Sequence, residues 1–309
     1  MNALIPRRRR LCRTCAALLV LAAAEMLWAD RQPPPPIRPA NAPAANRLSD
    51  DRRRAVLRDA LNAFDDAVAV ARSDPERAAD LYRSCVGALE TLEADGVRSA
   101  ALYYDLGNAY FRLGKLGRAI VNYRRARRLA PTDPEINANL HYARNRVEPY
   151  IKPGGGAQLL HRLLFWNNYT SMRQRFGLAA AAWIVGWGLL AACLRRRSTP
   201  VLAGGIVLLV LGGANALSVG WQLHEDRTHP AAVVVDGQYV LRLGRGEGYD
   251  PAITQPLGPG VELRIIARRG GWAEVELADG TTGWLPEKGV LCVAAPAEVS
   301  AARRIPRSE

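Results

Sequence analysis

The feature that most constrains this chain is a set of apolar and small residues that recur at fixed spacing across two short segments. The set comprises Tyr103, Leu106, Gly107, Tyr110, Ala119, Tyr123, Ala126 and Pro131. Gly107 and Ala119 are small enough to let two helices approach closely. Pro131 ends the second segment, because proline cannot continue a helix. The spacing therefore predicts a tightly packed helical hairpin.

The order and spacing of these residues resemble the tetratricopeptide (TPR) repeat, a helical hairpin that binds other proteins and carries no chemistry of its own. One such repeat cannot bury its apolar face alone, so neighbours should flank it. Upstream, Ala78, Tyr82 and Cys85 repeat the spacing of the second helix. Downstream, residues 134–147 predict a capping helix. We therefore expect an all-α TPR domain over residues 48–148.

The first helix of that domain, at about residues 49–72, departs from the repeat pattern. Asp65 and Asp66 stand where Leu and Gly belong, so we interpret this unit as a degenerate repeat. Its apolar positions nevertheless keep helical spacing. They are Val56, Leu57, Ala60, Leu61, Phe64, Val68 and Ala71.

The TPR resemblance also implies a binding groove, toward which the first helix of the well-matched repeat turns four residues. These are Tyr104, Asn108, Phe111 and Arg112. Asn108 would hold a peptide backbone amide, and Arg112 would meet an acidic side chain. TPR domains that clamp a C-terminal carboxylate carry basic residues on the next helix. Here Glu135 and Asn139 occupy those positions, so no such clamp is expected.

The N-terminal segment, residues 1–29, has the pattern of a secretory signal peptide. Arginines precede a short apolar run, and small residues follow it at Ala24 and Ala29. Cleavage after either alanine fits, and an uncleaved anchor remains an alternative. Residues 30–47 contain four consecutive prolines, which predict an extended linker or, alternatively, a ligand for an SH3-like groove.

Two uncharged apolar segments, residues 177–194 and 200–221, are each long enough to cross a bilayer. They predict a transmembrane hairpin with Arg195–Arg197 in its turn and an interfacial juxtamembrane segment at 149–176. Two spans place the preceding and following regions on the same side. The signal peptide and the arginines of the turn indicate that this side is extracytoplasmic, at the cytoplasmic (inner) membrane.

The region from 229 to 294 changes to short apolar runs separated by turn signals, which predicts about six strands in a small all-β barrel. The predicted strands are Val233–Val235, Tyr239–Leu243, Val261–Ala267, Trp272–Leu277, Gly283–Leu285 and Val290–Val293. Gly271-Trp272 and Gly283-Trp284-Leu285-Pro286 resemble a bacterial SH3 domain. Residues 295–309 are expected to form a disordered tail.

The SH3 resemblance implies a ligand surface for an extended peptide or a wall glycopeptide. It would be formed by Tyr249, Trp272, Trp284 and Pro286. Alternatively, the two tryptophans cap the barrel core. Lys288 and Gly289 stand where proline-binding SH3 domains carry Asn and Tyr, which argues against a PxxP ligand.

The domain order as a whole, with the stretch Leu163–Tyr169, resembles the BatE-type proteins of the Bacteroides aerotolerance operons. The resemblance implies a membrane-tethered scaffold that works with von Willebrand A-domain membrane proteins and a MoxR-type ATPase. An envelope anchor whose SH3 domain binds peptidoglycan is the alternative function.

The chemistry-bearing residues predict a protein that is not an enzyme and needs no cofactor or metal. Its four histidines lack metal-ligand spacing, and no nucleophile and base can be paired. The net charge of +13 is concentrated partly in Arg124–Arg128, for which a solvated face is the first interpretation and an acidic or headgroup partner the second. Nucleic acid is not expected outside the cytoplasm. Cys85 and Cys292 are expected to be buried separately.

Overall fold

The computed structural model describes residues 48–152, 154, 172–196 and 198–294. The predicted signal peptide, proline-rich linker and C-terminal tail lie outside the described residues, as does most of the juxtamembrane segment. The described chain divides into two compact units. Residues 172–222 belong to one, and the helices before them together with the sheet after them belong to the other.

Five helices form the first part of the larger unit. They are α1 (Asp50–Val70), α2 (Pro75–Ala94), α3 (Ala100–Arg112), α4 (Leu116–Leu129) and α5 (Pro134–Arg144). The prediction of paired helices across residues 48–148 is confirmed, including the capping helix, which ends three residues earlier than expected.

Local sequence explains where four of these helices begin. The side chains of Ser49, Asp74, Ser99 and Asp133 each accept a hydrogen bond from a backbone N–H of the first helical turn. Pro75 and Pro134 then occupy the first helical position, where a missing N–H does no harm. Helix α4 has no side-chain cap, and the tight turn before it requires Gly114 at a φ of 71°.

The core between these helices is built from the residues that the repeat spacing predicts. Leu89, Leu106, Ile120 and Leu140 are completely buried. Gly107 lies against Tyr123, since a Cβ atom at position 107 would come within 2.5 Å of the ring. The predicted close approach of α3 and α4 at this glycine is therefore confirmed.

Helix α1 buries less of its apolar face than its spacing suggests. Ala60 is buried, and Phe64 packs edge to face on Tyr82 of α2 at 5.4 Å between ring centroids. Leu57, Leu61 and Val68 are exposed. The reason is geometric, because α1 contacts α2 along one side only and has no helix packed on its other side among the described residues.

Residues 172–222 contain an apolar helical hairpin formed by α6 (Met172–Arg196) and most of α7 (Thr199–Thr228). Both helices are long and apolar enough to cross a membrane. Gly186, Gly205 and Gly212 lie where the helices touch, which fits close packing through small residues. Asn215 Nδ2 donates to the carbonyl oxygen of Arg175 at 3.2 Å, so this polar side chain links the two helices.

The C-terminal region forms a five-stranded antiparallel sheet. Its strands are β1 (Ala231–Val234), β2 (Glu262–Arg269), β3 (Trp272–Leu277), β4 (Thr282–Pro286) and β5 (Val290–Cys292), in the order β4-β3-β2-β1-β5. A small all-β region is thus confirmed. Pairing of β4 with β5, which would close the predicted barrel, is not among the strand pairs of the described residues.

The predicted strand Tyr239–Leu243 is replaced by isolated bridges. Tyr239 pairs with Leu257, whereas Arg242 pairs with Pro251 and Trp284. The segment changes partner within three residues, so a continuous ladder cannot form. Its Leu241 is still completely buried in the core of the sheet.

The helices and the sheet share one apolar core. Val233, Val235 and Val293 of the sheet region join the buried residues of α2–α5. Gly117 makes the contact possible, because a Cβ atom there would lie 2.2 Å from the carbonyl oxygen of Val234. The TPR region and the sheet therefore pack as parts of a single compact unit.

Most of the arginine cluster of α4 lies in this contact rather than on a solvated face, so the first interpretation of the cluster is wrong. Arg125 is 8% exposed and donates to the carbonyl oxygens of Val293 and Cys292 at 3.0 and 3.2 Å. Arg124 pairs with Glu262 at 2.9 Å. The sheet covers these side chains, and only a long-range contact of this kind could have revealed it.

Candidate peptide-binding groove

An open groove of about 640 Å³ runs along the surface of the helical region. Its walls are mostly aromatic and amide side chains with two arginines. The lining residues are Phe64, Tyr104, Asn108, Phe111, Arg112, Tyr123, Asn139, Tyr142 and Arg146. All four groove residues predicted from the repeat register are among them. Whether the groove binds a ligand remains a prediction.

Helix α3 brings the four predicted residues together. Tyr104, Asn108, Phe111 and Arg112 follow one another at spacings of four, three and one residues, which places them along one helical stripe. The opposite side of α3 carries Leu102, Leu106 and Ala109 into the core. Burial of that side leaves the stripe facing outward into the groove.

A network of hydrogen bonds fixes the middle of the groove. Asn108 Oδ1 accepts from the Tyr123 hydroxyl at 2.8 Å and from Asn139 Nδ2 at 3.0 Å. Asn139 Nδ2 also donates to the Tyr104 hydroxyl at 3.0 Å. The amide oxygen of Asn108 is thus occupied, and the Asn108 side chain also hydrogen-bonds the Tyr104 hydroxyl. An amide NH₂ group carries two hydrogens, so Nδ2 can donate a second hydrogen bond to a ligand carbonyl.

One end of the groove is weakly acidic. The Tyr104 hydroxyl lies 3.4 Å from Glu135 Oε2. Burial raises the pKa of Tyr104 above its ordinary value, and burial likewise raises the pKa of Tyr123. Both phenols therefore remain neutral hydrogen-bonding groups in any physiological buffer. Glu135 supplies the negative charge at this end.

The other end combines aromatic rings with positive charge. Phe111 and Tyr142 lie 5.6 Å apart between ring centroids. The Arg146 guanidinium stacks over both rings, at 5.2 Å from the Phe111 centroid and 4.7 Å from the Tyr142 centroid. Arg112, which ends α3, is exposed beside them.

Sequence reasoning missed Phe64, Tyr142 and Arg146 as groove residues. The apolar spacing assigns Phe64 to the packed face of α1, and residues 134–147 predict only a capping helix, in which Tyr142 is 52% exposed. Arg146 follows the end of α5, beyond the register that the repeat fixes. The spacing of Tyr142 and Arg146, four residues apart, is the signal that could have paired them.

The four residues predicted for a second ligand surface lie on the sheet. Trp272 and Pro286 pair across β3 and β4 and line a shallow cleft of about 470 Å³ with Glu247, Glu287 and Lys288. The structure brings this pair together, as predicted.

The other two predicted residues lie outside the lining of that cleft. Trp284 shares the outer face of β4 with Pro286, and its ring lies 5.6 Å from the Arg245 guanidinium. Tyr249 packs on Gly244. Both tryptophans are half-buried and are not among the buried residues of the sheet core.

A family model described as a TPR repeat matches residues 107–146 of the chain. The match begins within α3 and ends at Arg146, so it contains all of α4 and α5. Comparison with curated proteins and with solved structures found no significant match to the chain. A TPR repeat is therefore shown for the segment that supplies much of the groove, and such a repeat indicates protein–protein interaction.

Proposed function

We propose that this chain is a membrane-anchored, non-enzymatic scaffold whose groove binds an extended segment of a partner protein. The observation that carries the proposal is the groove itself. An aromatic wall, the amide of Asn108 and two arginines line one open channel on a TPR repeat. This combination suits recognition of a peptide backbone with a few side chains.

Contact between the helical region and the sheet supports the membrane part of the proposal. The two apolar helices lie between these regions in the chain, yet Arg125 of α4 reaches the carbonyl oxygens of Cys292 and Val293. Regions in direct contact must lie on the same side of any bilayer. An even number of spans satisfies that requirement, and the signal-peptide pattern of residues 1–29 favours the extracytoplasmic side of the inner membrane.

The proposed partners come from the resemblance in domain order. BatE-type proteins imply A-domain membrane proteins and a MoxR-type ATPase as the system in which the scaffold acts. Away from the contact between α6 and α7, Gly188 and Gly220 are exposed with nothing within 4 Å of an added Cβ atom, which leaves room for other membrane helices to pack closely. We therefore expect the partner to be a membrane protein whose exposed segment reaches the groove.

Affinity purification of the full-length protein from gently solubilised native membranes tests this proposal. The groove variant combines Asn108→Asp with Arg112→Ala. The first change keeps an acceptor for Tyr123 and Asn139 but removes the amide donor. The matched control is Arg77→Ala, since Arg77 is an exposed arginine on α2 outside the groove.

The expected result is recovery of A-domain membrane proteins with the wild type and the control, and roughly ten-fold lower recovery with the groove variant. Equal recovery with all three proteins would remove the groove from the proposal. Recovery of wall-synthesis proteins instead would shift the proposal to the alternative function.

The alternative function is an envelope anchor that binds peptidoglycan through the cleft of Trp272 and Pro286. Sedimentation of the full-length protein with purified sacculi, compared with Trp272→Ala, tests this function. The full chain is required because the isolated sheet would expose Val233, Val235 and Val293, which pack on the helices. Absence of the protein from the pellet would exclude this alternative.

A further inference from the structure

We infer that the groove selects an acidic segment, with a ligand carboxylate held by Arg112 and Arg146 and the adjoining residue packed on Phe111 and Tyr142. This inference rests on the proposed function and specifies its ligand. It follows from the uneven distribution of charge along the groove, from the stacking of Arg146, and from the position of the Asn108 amide.

The two groove arginines differ from most arginines around them. Arg118, Arg124 and Arg144 each pair with a carboxylate of the sheet region. Arg112 and Arg146 have no ion pair with any residue in the described ranges, although they share one groove. Because both guanidinium groups line the same groove, an anion bound there is attracted by both.

Arg146 is oriented before any ligand arrives. Its guanidinium stacks on two rings, and its Nη2 donates to the Tyr142 hydroxyl. Its Nε and Nη1 groups have no partner among the residues that the structure describes. A stacked guanidinium loses little freedom on binding, and its planar fork matches a carboxylate.

The remaining lining gives the ligand a direction. Asn108 lies one helical turn from Arg112, and its Nδ2 group can donate its second hydrogen to a backbone carbonyl of the ligand. Glu135 stands beyond it, next to Tyr104, and disfavours a second acidic residue there. The preferred ligand therefore has its acidic residue at the Phe111 end and a neutral or basic residue at the Tyr104 end.

Selection from a random dodecapeptide phage library on immobilised full-length protein in detergent micelles tests this inference. Three proteins are compared: the wild type, the charge-reversed variant Arg112→Glu/Arg146→Glu, and the control Arg77→Glu. The wild type and the control should enrich peptides with Asp or Glu beside an aromatic or aliphatic residue. The charge-reversed variant should instead enrich Lys and Arg at that position.

Affinity measurements with individual selected peptides give the size of this charge preference. We expect an acidic peptide to lose roughly ten-fold or more in affinity for the charge-reversed variant, and a basic one to gain by a similar factor. Enrichment without charge preference that is lost in the Asn108→Asp/Phe111→Ala variant would overturn this inference and leave the proposed function standing. Enrichment that is the same in every variant would overturn both.

Discussion

The interface between helices and sheet and the peptide groove use the same residue type in opposite ways. At the interface, Arg125 is almost completely buried and all three of its donor groups reach protein oxygens. In the groove, Arg112 is exposed and Arg146 lies on aromatic rings, and neither has an ion pair among the described residues. The difference is whether another part of the chain supplies the acceptors.

This contrast shows why charge counts alone do not identify a binding surface. The run of arginines in α4 is the most basic stretch of the helical region, yet the sheet occupies most of it. Although burial raises the pKa of Glu262, the neighbouring Arg124 and Arg144 hold that pKa below its ordinary value. The two groove arginines, of which only Arg112 is predicted from the repeat register, have no ion pair among the described residues.

The largest expected effect on stability comes from removing the buried side chain of Arg125. Arg125→Ala would leave two carbonyl oxygens and part of the Glu93 carboxylate without their donor, so we expect the free energy of unfolding to fall by about 3 kcal/mol. Urea-dependent pulse proteolysis of the full-length protein in detergent measures this change. Arg112→Ala should change stability by less than about 0.5 kcal/mol. Equal losses of unfolding free energy in Arg125→Ala and Arg112→Ala would show that the buried and the exposed arginine do not differ in their contribution to stability.

Gly117→Ala tests the interface by shape instead of charge. The new Cβ atom would meet backbone atoms of Val234 and Val235, which cannot rotate away, so a loss of about 2–3 kcal/mol is expected. Gly87→Ala is the control, because Gly87 is an exposed helical glycine with nothing within 4 Å of its added Cβ. That change should stabilise the protein by up to about 1 kcal/mol. If the Gly117→Ala variant were as stable as the wild type, the sheet would not need a close contact with α4.

Asp105 extends the comparison from arginines to acids, because its carboxylate has no hydrogen-bond or ion-pair partner among the described residues. Burial raises the pKa of Asp105 to about 6 from 3.8, so the folded protein retains a proton that the unfolded chain releases between those values. Stability should therefore fall as pH rises from 4 to 6. Asp105→Asn removes this dependence and should be more stable by about 1–2 kcal/mol at pH 8, after allowance for partial exposure.

Unfolding of the Asp105→Asn variant and the wild type at pH 4 and pH 8 provides the check. The advantage of the variant should be smallest at pH 4, where the folded carboxyl group is protonated and the unfolded one is only partly ionised. An advantage of the variant that is the same at both values would mean that Asp105 acts through shape and not through ionisation.

The smallest expected effect is a difference in reactivity between two cysteine thiols of the folded protein. Burial raises the pKa of the Cys85 thiol to about 11, and the residue is 1% exposed. Cys292 is only half-buried and accepts a hydrogen bond from Arg268 at 2.8 Å. Peptide mapping after treatment with N-ethylmaleimide at pH 7.5 should find Cys292 labelled first, with Cys85 labelled only in denaturant. Rapid labelling of Cys85 would indicate that the α2–α3 packing opens.

Local spacing predicts the helical hairpin and its groove stripe because a repeat fixes the direction of each side chain. Gly107 against Tyr123 and the convergence of Tyr104 with Asn108 follow from that register. Arg146 lies beyond the hairpin, so no register predicts its stacking on Phe111. The clustering of Trp272 with Pro286 also follows from local pairing, since a short turn joins their strands.

Contacts between distant segments could not be derived in this way. The arginines of α4 look solvent-exposed in sequence because the residues that cover them lie more than a hundred positions away. The segment Tyr239–Leu243 alternates like a strand, yet its two ends pair with different segments. Both predictions are wrong because the periodicity of apolar residues indicates which positions are buried but does not identify the segment that buries them.

The hydrogen bond from Arg125 to Val293 joins residues separated by 168 positions, and this has a consequence for how the protein is made. Helices α1–α5 emerge from the ribosome long before strand β5 is synthesised, so during that interval Arg125 and Gly117 face water. Closing such a long loop is slow and carries an entropic penalty. During biogenesis we therefore expect an intermediate in which α1–α5 are folded and the surface that later contacts the sheet is exposed to chaperones.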